Sequence, residues 1–145
     1  MKIFTLSPGS TSTKLAVFSE EQEIFKANVA HDPDKLKSFS HISDQLPYRE
    51  ETILGELAQA GISLREMDAF AAYSGGLESM VGGAYPVNAM ILKHSREGRT
   101  VKHPAILGAQ LIDAFSKKYG APAFLYNPPD VDEFEDLARI TGMQG

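Results

Sequence analysis

Apolar and polar positions change their spacing several times along this chain, and each change predicts an element. Lys2 to Leu6 and Leu15 to Phe18 are short runs of β-forming residues on either side of a polar turn, which predicts two strands joined as a hairpin. Glu20 to Ala30 sets Ile24, Ala27 and Val29 beside Glu23 and Lys26 and predicts a third strand, paired antiparallel like the first two. Asp32-Pro33-Asp34 then signals a helix start, with Asp32 as N-cap and Pro33 in the first helical position. Tyr48 to Ala60 carries Ile53, Leu54, Leu57 and Ala58 at helical spacing and stops at Gly61.

The second half alternates strand and helix signals. Met67 to Tyr73 reads as a short buried strand running into Ser74-Gly75-Gly76, and Gly82-Gly83 opens another turn before Tyr85. Asn88 to Lys93 is predicted helical. A further helix starts at His103-Pro104, presents Leu107, Leu111, Ala114 and Phe115 on one face, and ends near Gly120. Pro122 to Tyr126 is strand-like, and Asp132 to Ile140 is predicted as a last helix ending at Gly142. The order βββαβαβα predicts an α/β domain with a mixed sheet, antiparallel on one side and parallel on the other. Right-handed crossovers should bring Ala69 to Tyr73 and Ala123 to Tyr126 beside the first strand. Ligands in such sheets sit beyond the carboxyl ends of the strands, here Ser7, Ser74 and Asn127.

Composition narrows the classes. The 145 residues suit one domain with a single core, and 43% hydrophobic with 23% charged residues fits neither a disordered segment nor a membrane span. Net charge is -5, and the basic residues are scattered, so no nucleic-acid or membrane partner is expected. Absence of cysteine removes thiol nucleophiles and cysteine-ligated metals and fits the cytoplasm. No signal peptide is read at Met1-Lys2.

Chemistry concentrates in the hairpin loop, where Ser7, Ser10, Thr11, Ser12 and Thr13 form a ladder of hydroxyls around Pro8 and Gly9 and close on Lys14. This is not a Walker A loop, which needs a second glycine directly before the lysine. Successive backbone amides and hydroxyls in a tight turn can nevertheless cradle a phosphate, although small polar residues also simply suit turns. His103 is a candidate general acid or base, or else a capping residue. His31, His41 and His94 show no metal-ligand spacing. The acidic run Asp130, Asp132, Glu133, Glu135 and Asp136 offers carboxylates to a cation but equally fits a helix start.

The stretch "LSPGSTSTKLAVF" closely resembles the first phosphate loop of the butyrate kinases and branched-chain carboxylate kinases, in the acetate kinase branch of the sugar kinase, heat-shock protein and actin superfamily. "SGGLESMVGGAYPV", "HPAILGA" and "NPPDVDEFEDLARITG" resemble further motifs of that family in the same order. The resemblance implies a ribonuclease H-like (actin-like ATPase) domain, residues 1–145 standing as the N-terminal half with a second domain absent. It implies transfer of a phosphoryl group between ATP, with Mg2+, and a short-chain carboxylate, giving an acyl phosphate. Gly9, Ser10, Thr11, Ser12, Thr13 and Lys14 would then face the phosphates, with Gly75, Gly76 and His103 on the substrate side and no metal ligand assigned in this chain.

Four polar positions depart from the family pattern. The family usually has Asn where Ser7 stands, Arg where Ser74 stands, Asn where Ile106 stands and Asp where Asn127 stands. A serine lacks the charge and paired donors of arginine, isoleucine cannot hydrogen-bond, and asparagine brings no negative charge to a cation. The isolated chain is therefore expected to be inactive, with ATP and Mg2+ belonging to the family's chemistry rather than to this chain alone. The alternative is a non-catalytic remnant, an anion-binding or interaction module of the same fold, which self-associates through the face left by the missing domain.

Overall fold

The computed structural model describes residues 1–98, 100–140 and 142. Strands β1 (Lys2–Pro8), β2 (Ser12–Ser19) and β3 (Gln22–Ala30) form the expected antiparallel meander, with a bulge in the β2–β3 register between Val17 and Phe18. Helix α1 (Pro33–Lys37) is one turn long, and Asp32 caps it by accepting from the amides of Asp34 and Lys35. Helix α2 (Leu46–Gln59) follows, then β4 (Ala69–Ala72), β5 (Ala84–Pro86), α3 (Ala89–Glu97), α4 (Leu107–Tyr119) and β6 (Ala123–Tyr126).

The six strands make one mixed sheet in the order β3-β2-β1-β4-β6-β5. β4 runs parallel to β1, and β6 parallel to β4, so β6 lies one strand further out than adjacency to β1 would place it. β5 is a strand the sequence reading passed over. It pairs antiparallel with β6 through Ala84↔Tyr126 to Pro86↔Phe124, and a three-residue edge strand containing proline carries no alternating pattern to find.

The expected helix over Asp132 to Ile140 is corrected to an extended segment with one 3-10 turn at Asp136–Arg139. Its apolar residues Phe134, Leu137 and Ile140 are all exposed, at 64%, 79% and 72%. A helix this short is marginal unless an apolar face packs on a core, and here none does. Thr141 of the last motif lies outside the described residues.

The core fills one face of the sheet. Phe4 of β1, Phe70 of β4 and Phe115 of α4 are fully buried, with ring centroids 6.0 to 6.4 Å apart, and Leu15, Val17, Ile53, Leu57, Leu111 and Leu125 pack around them. Helix α4 reaches its place because Gly108 lets its first turn lie on the end of β4. A Cβ at Gly108 would stand 2.6 Å from the carbonyl oxygen of Tyr73. Gly120 ends α4 at φ 90°, a conformation that side-chain-bearing residues rarely adopt. The opposite sheet face has no helix on it among the described residues. Ile3, Ala16, Phe18, Ala71, Phe124 and Tyr126 line an open groove of about 1310 Å³ there.

Candidate functional site

Strand alternation sorts the hydroxyl ladder to two sides of the hairpin. Thr13 falls on the core side and is fully buried, whereas Ser12 and Lys14 fall on the other side with Ser7. At the tip, the Gly9 amide donates to the carbonyl of Ser12 at 2.7 Å and closes a tight turn. Among the described residues the amides of Ser10 and Thr11 have no backbone partner, so two adjacent N–H groups are left at the loop tip.

A cleft of about 350 Å³ opens beside this turn at the carboxyl ends of β1 and β4. Ser7, Gly9, Ser12 and Lys14 line one side, and Gly75, His103 and Pro129 the other. His103 reaches the loop directly, its Nε2 lying 3.2 Å from Ser10 Oγ. Its Nδ1 accepts from the Ala105 amide at 3.1 Å, so in the neutral ring the proton sits on Nε2 and is donated to Ser10. The exposed ammonium of Lys14 makes no ion pair among the described residues. The hydroxyls of Ser7 and Ser12 and the Lys14 ammonium in the cleft, with the Ser10 hydroxyl and two open amides at the adjoining loop tip, form a donor set suited to an anion.

The other candidate positions are placed differently. Ser74 is fully buried, donates from Oγ to the Ala105 carbonyl at 2.9 Å, and accepts from the Ala109 amide at 3.0 Å. It thus satisfies an otherwise orphaned amide in the first turn of α4 and ties that turn to the end of β4. Asn127, in the left-handed region at φ 40°, accepts from the Gly83 amide at 2.8 Å and pins the Gly82-Gly83 turn; it does not line the cleft. Gly75 stands against Pro129, whose Cγ a Cβ there would meet at 2.8 Å. Gly76 stands against buried Ile106, where a Cβ would meet Cγ2 at 2.7 Å. Ile106 is therefore a packing residue beneath the glycine pair.

The acidic run is used to tie loops together. Asp130 accepts from the Leu77 amide and the Thr100 hydroxyl, Asp132 pairs with Arg139 at 2.9 Å, and Glu133 accepts from the Gly82 amide. The Arg139 contact holds the Asp132 carboxyl below the usual carboxylate range. No Asp or Glu lines the cleft, so its residues fit a phosphate but do not fit a protein-held magnesium ion, and no group of three His, Asp or Glu among the described residues is placed to hold a metal.

Behind the loop lies a buried polar cluster that the sequence reading missed. Arg49, fully buried on α2, donates through Nε to Gln45 Oε1 at 3.0 Å, through one terminal nitrogen to Thr13 Oγ1 at 3.1 Å, and through the other to the Ser10 carbonyl at 3.5 Å. Thr13 Oγ1 in turn lies 2.8 Å from Nε2 of buried His31, whose Nδ1 has no partner among the described residues. Burial and then the nearby Arg49 charge push His31 down to about 4, and burial lowers Arg49 to about 10. The available signal was spacing: Arg49 stands four residues before Ile53 and eight before Leu57, on the apolar stripe of its helix.

Sheet order, parallel β1–β4–β6 core and antiparallel hairpin define a ribonuclease H-like α/β domain of the actin-like ATPase type. Acetate kinase from Porphyromonas gingivalis shares that fold, with a TM-score of 0.51 over 86% of this chain and 36% of that one, at 16% identity. The chain is 36% identical over 142 residues to butyrate kinase 2 of Clostridium acetobutylicum, and 38% over 143 residues to a probable butyrate kinase of Phocaeicola vulgatus. Those matches take in 98% and 99% of this chain, so its similarity to the butyrate kinases runs along essentially its whole length. It spans about two fifths of theirs, 40% in both cases. No family model matches the chain.

Proposed function

We propose that this chain is the phosphate-handling half of a butyrate kinase-like carboxylate kinase, with the loop from Gly9 to Lys14 as the cradle for a phosphoryl group. The observation that carries the reading is that Ser7, Ser12, Lys14 and His103 line one cleft at the ends of β1 and β4, and that the loop tip beside it holds the Ser10–His103 contact and two amides, of Ser10 and Thr11, with no backbone partner among the described residues. In phosphoryl transfer such donors position the group and neutralise charge as it develops. His103, bonded through Nε2 to Ser10, and Gly75 form the far wall, where the carboxylate would meet the phosphate.

ATP and Mg2+ enter with the family's chemistry. Since no carboxylate lines the cleft, magnesium would come held by the nucleotide's own phosphate oxygens, and the adenosine site would lie on a second domain. Ser74, Ile106 and Asn127 are committed to packing and turn contacts, which supports the expectation that this chain alone makes no acyl phosphate. A cysteine-free chain suits the cytoplasm. The assay is formation of butyryl phosphate from ATP, Mg2+ and butyrate, captured as the hydroxamate. The chain alone should give none, and activity should appear when the remaining part of a butyrate kinase is added; turnover by the chain alone, or none with the complement, would reject the reading.

A second reading, a non-catalytic anion-binding or interaction module, is favoured by the same buried Ser74 and apolar Ile106. On it, the loop keeps its phosphate while the uncovered sheet face pairs with a second copy. Mixed sheets with parallel centres are normally covered on both faces, and this one carries exposed Tyr73 and Tyr126.

A further inference from the structure

Arg49 poses an electrostatic question of its own. A guanidinium is charged at neutral pH, and burying one is costly unless an anion pairs with it. None of the ion pairs among the described residues includes Arg49, and its three acceptors, Gln45, Thr13 and the Ser10 carbonyl, are all uncharged. Two of those acceptors belong to the hydroxyl loop. The same Ser10 whose carbonyl meets Arg49 from behind turns its hydroxyl towards His103 in the cleft in front. The cation is thus lodged against the inner wall of the turn at whose tip the Ser10 and Thr11 amides have no backbone partner among the described residues.

We infer that Arg49 is an internal positioning residue of the loop, whose counter-ion is the phosphate held on the other side of the same turn. The guanidinium lies against the Ser10 carbonyl and the Thr13 hydroxyl, and from there its unbalanced charge favours a dianion over a neutral occupant of the loop. His31 adds no competing cation at neutral pH, because its burial keeps it unprotonated. Gln45, on the turn that leads into α2, orients the guanidinium by accepting a hydrogen bond from its Nε–H through Oε1. This rests on the reading of the loop as a phosphate cradle, and it assigns to α2 a role that no residue lining the cleft reveals.

The test compares inorganic phosphate binding by calorimetry for the wild-type chain, Arg49→Met and Arg49→Lys, with thermal melting of each protein free of phosphate. A merely structural arginine would lower the melting temperature of the ligand-free Met variant. The charge role instead predicts ligand-free melting within a few degrees of wild type, phosphate affinity reduced about tenfold or more in Arg49→Met, and affinity within about threefold of wild type in Arg49→Lys. Should Arg49→Met fail to fold, Arg49→Gln, uncharged and polar, makes the same comparison. Equal phosphate affinity in the uncharged variant and the wild type overturns the inference and leaves the phosphate reading intact, as does a lysine variant as weak as the uncharged one. A wild-type chain that takes up no phosphate at millimolar concentration overturns both, and the two failures are told apart by which protein shows them.

Discussion

Acidification should destabilise this fold through one identifiable residue, His31. The ring is 3% exposed, its Nε2 is engaged by Thr13, and the groups facing it are the edge of the Tyr48 ring, 5.5 Å between centroids, and the Arg49 guanidinium beyond Thr13. Burial and the Arg49 charge hold it at about 4, against 6.5 when unfolded. Between those values the unfolded chain binds a proton that the folded chain refuses. Stability therefore rises with pH across the window, is fully present above about pH 6.5, and is lost as pH falls towards 4. The linkage relation gives a loss relative to pH 7 of about 2 kcal/mol at pH 5 and about 3 kcal/mol at pH 4. Urea denaturation at a series of pH values measures it, and His31→Gln is the control, since carboxylates that titrate in the same range are common to both proteins. The wild-type curve should fall more steeply than the variant's by that amount. Parallel curves from pH 7 to 4, or a His31 resonance titrating near 6.5 in the folded protein, would refute the reasoning.

Three further outcomes follow from the packing. Gly108→Ala places a Cβ 2.6 Å from the Tyr73 carbonyl and 2.8 Å from Ser74 Cβ, where backbone has little room to yield, and should cost about 2 kcal/mol in chemical denaturation while disturbing the Ser74–Ala109 bond. Ile106→Asn, which restores the residue type that the resemblance would place there, should lose about 3 kcal/mol, because the position is buried against Gly76 with no polar partner prepared. Light scattering of the concentrated wild-type chain should show self-association, and Phe124→Lys with Tyr126→Lys should abolish it; a monodisperse wild-type monomer would leave the open sheet face without that role.

The elements that proved legible were those whose ends carry chemistry: the hairpin around Pro8-Gly9, the Asp32 cap with Pro33 behind it, the Asn88 and His103 starts, and Gly120 at the close of α4. Where a segment had to be judged by what it would pack on, the sequence was silent. Acidic residues and a terminal glycine gave Asp132 to Ile140 the signals of a helix, but its apolar residues meet no core and it stays extended. β5 exists because β6 offers it an edge, not because Ala84 to Pro86 prefers to be a strand. The loop was legible as a cluster of hydroxyls, while its division into a buried Thr13 and an outward Ser12 and Lys14 is set by strand register. Arg49 stayed hidden because a charged residue on an otherwise apolar helix stripe is discounted as surface until its depth is known.

The most direct measurement is titration of the pure chain with inorganic phosphate, followed at each backbone amide by NMR. Saturable shifts are expected at Ser10 and Thr11, with His103 responding across the cleft and the edge strands unmoved. Shifts that never saturate, or that scatter over the basic surface and spare the loop tip, would mean that Ser7 to Lys14 is a turn and nothing more.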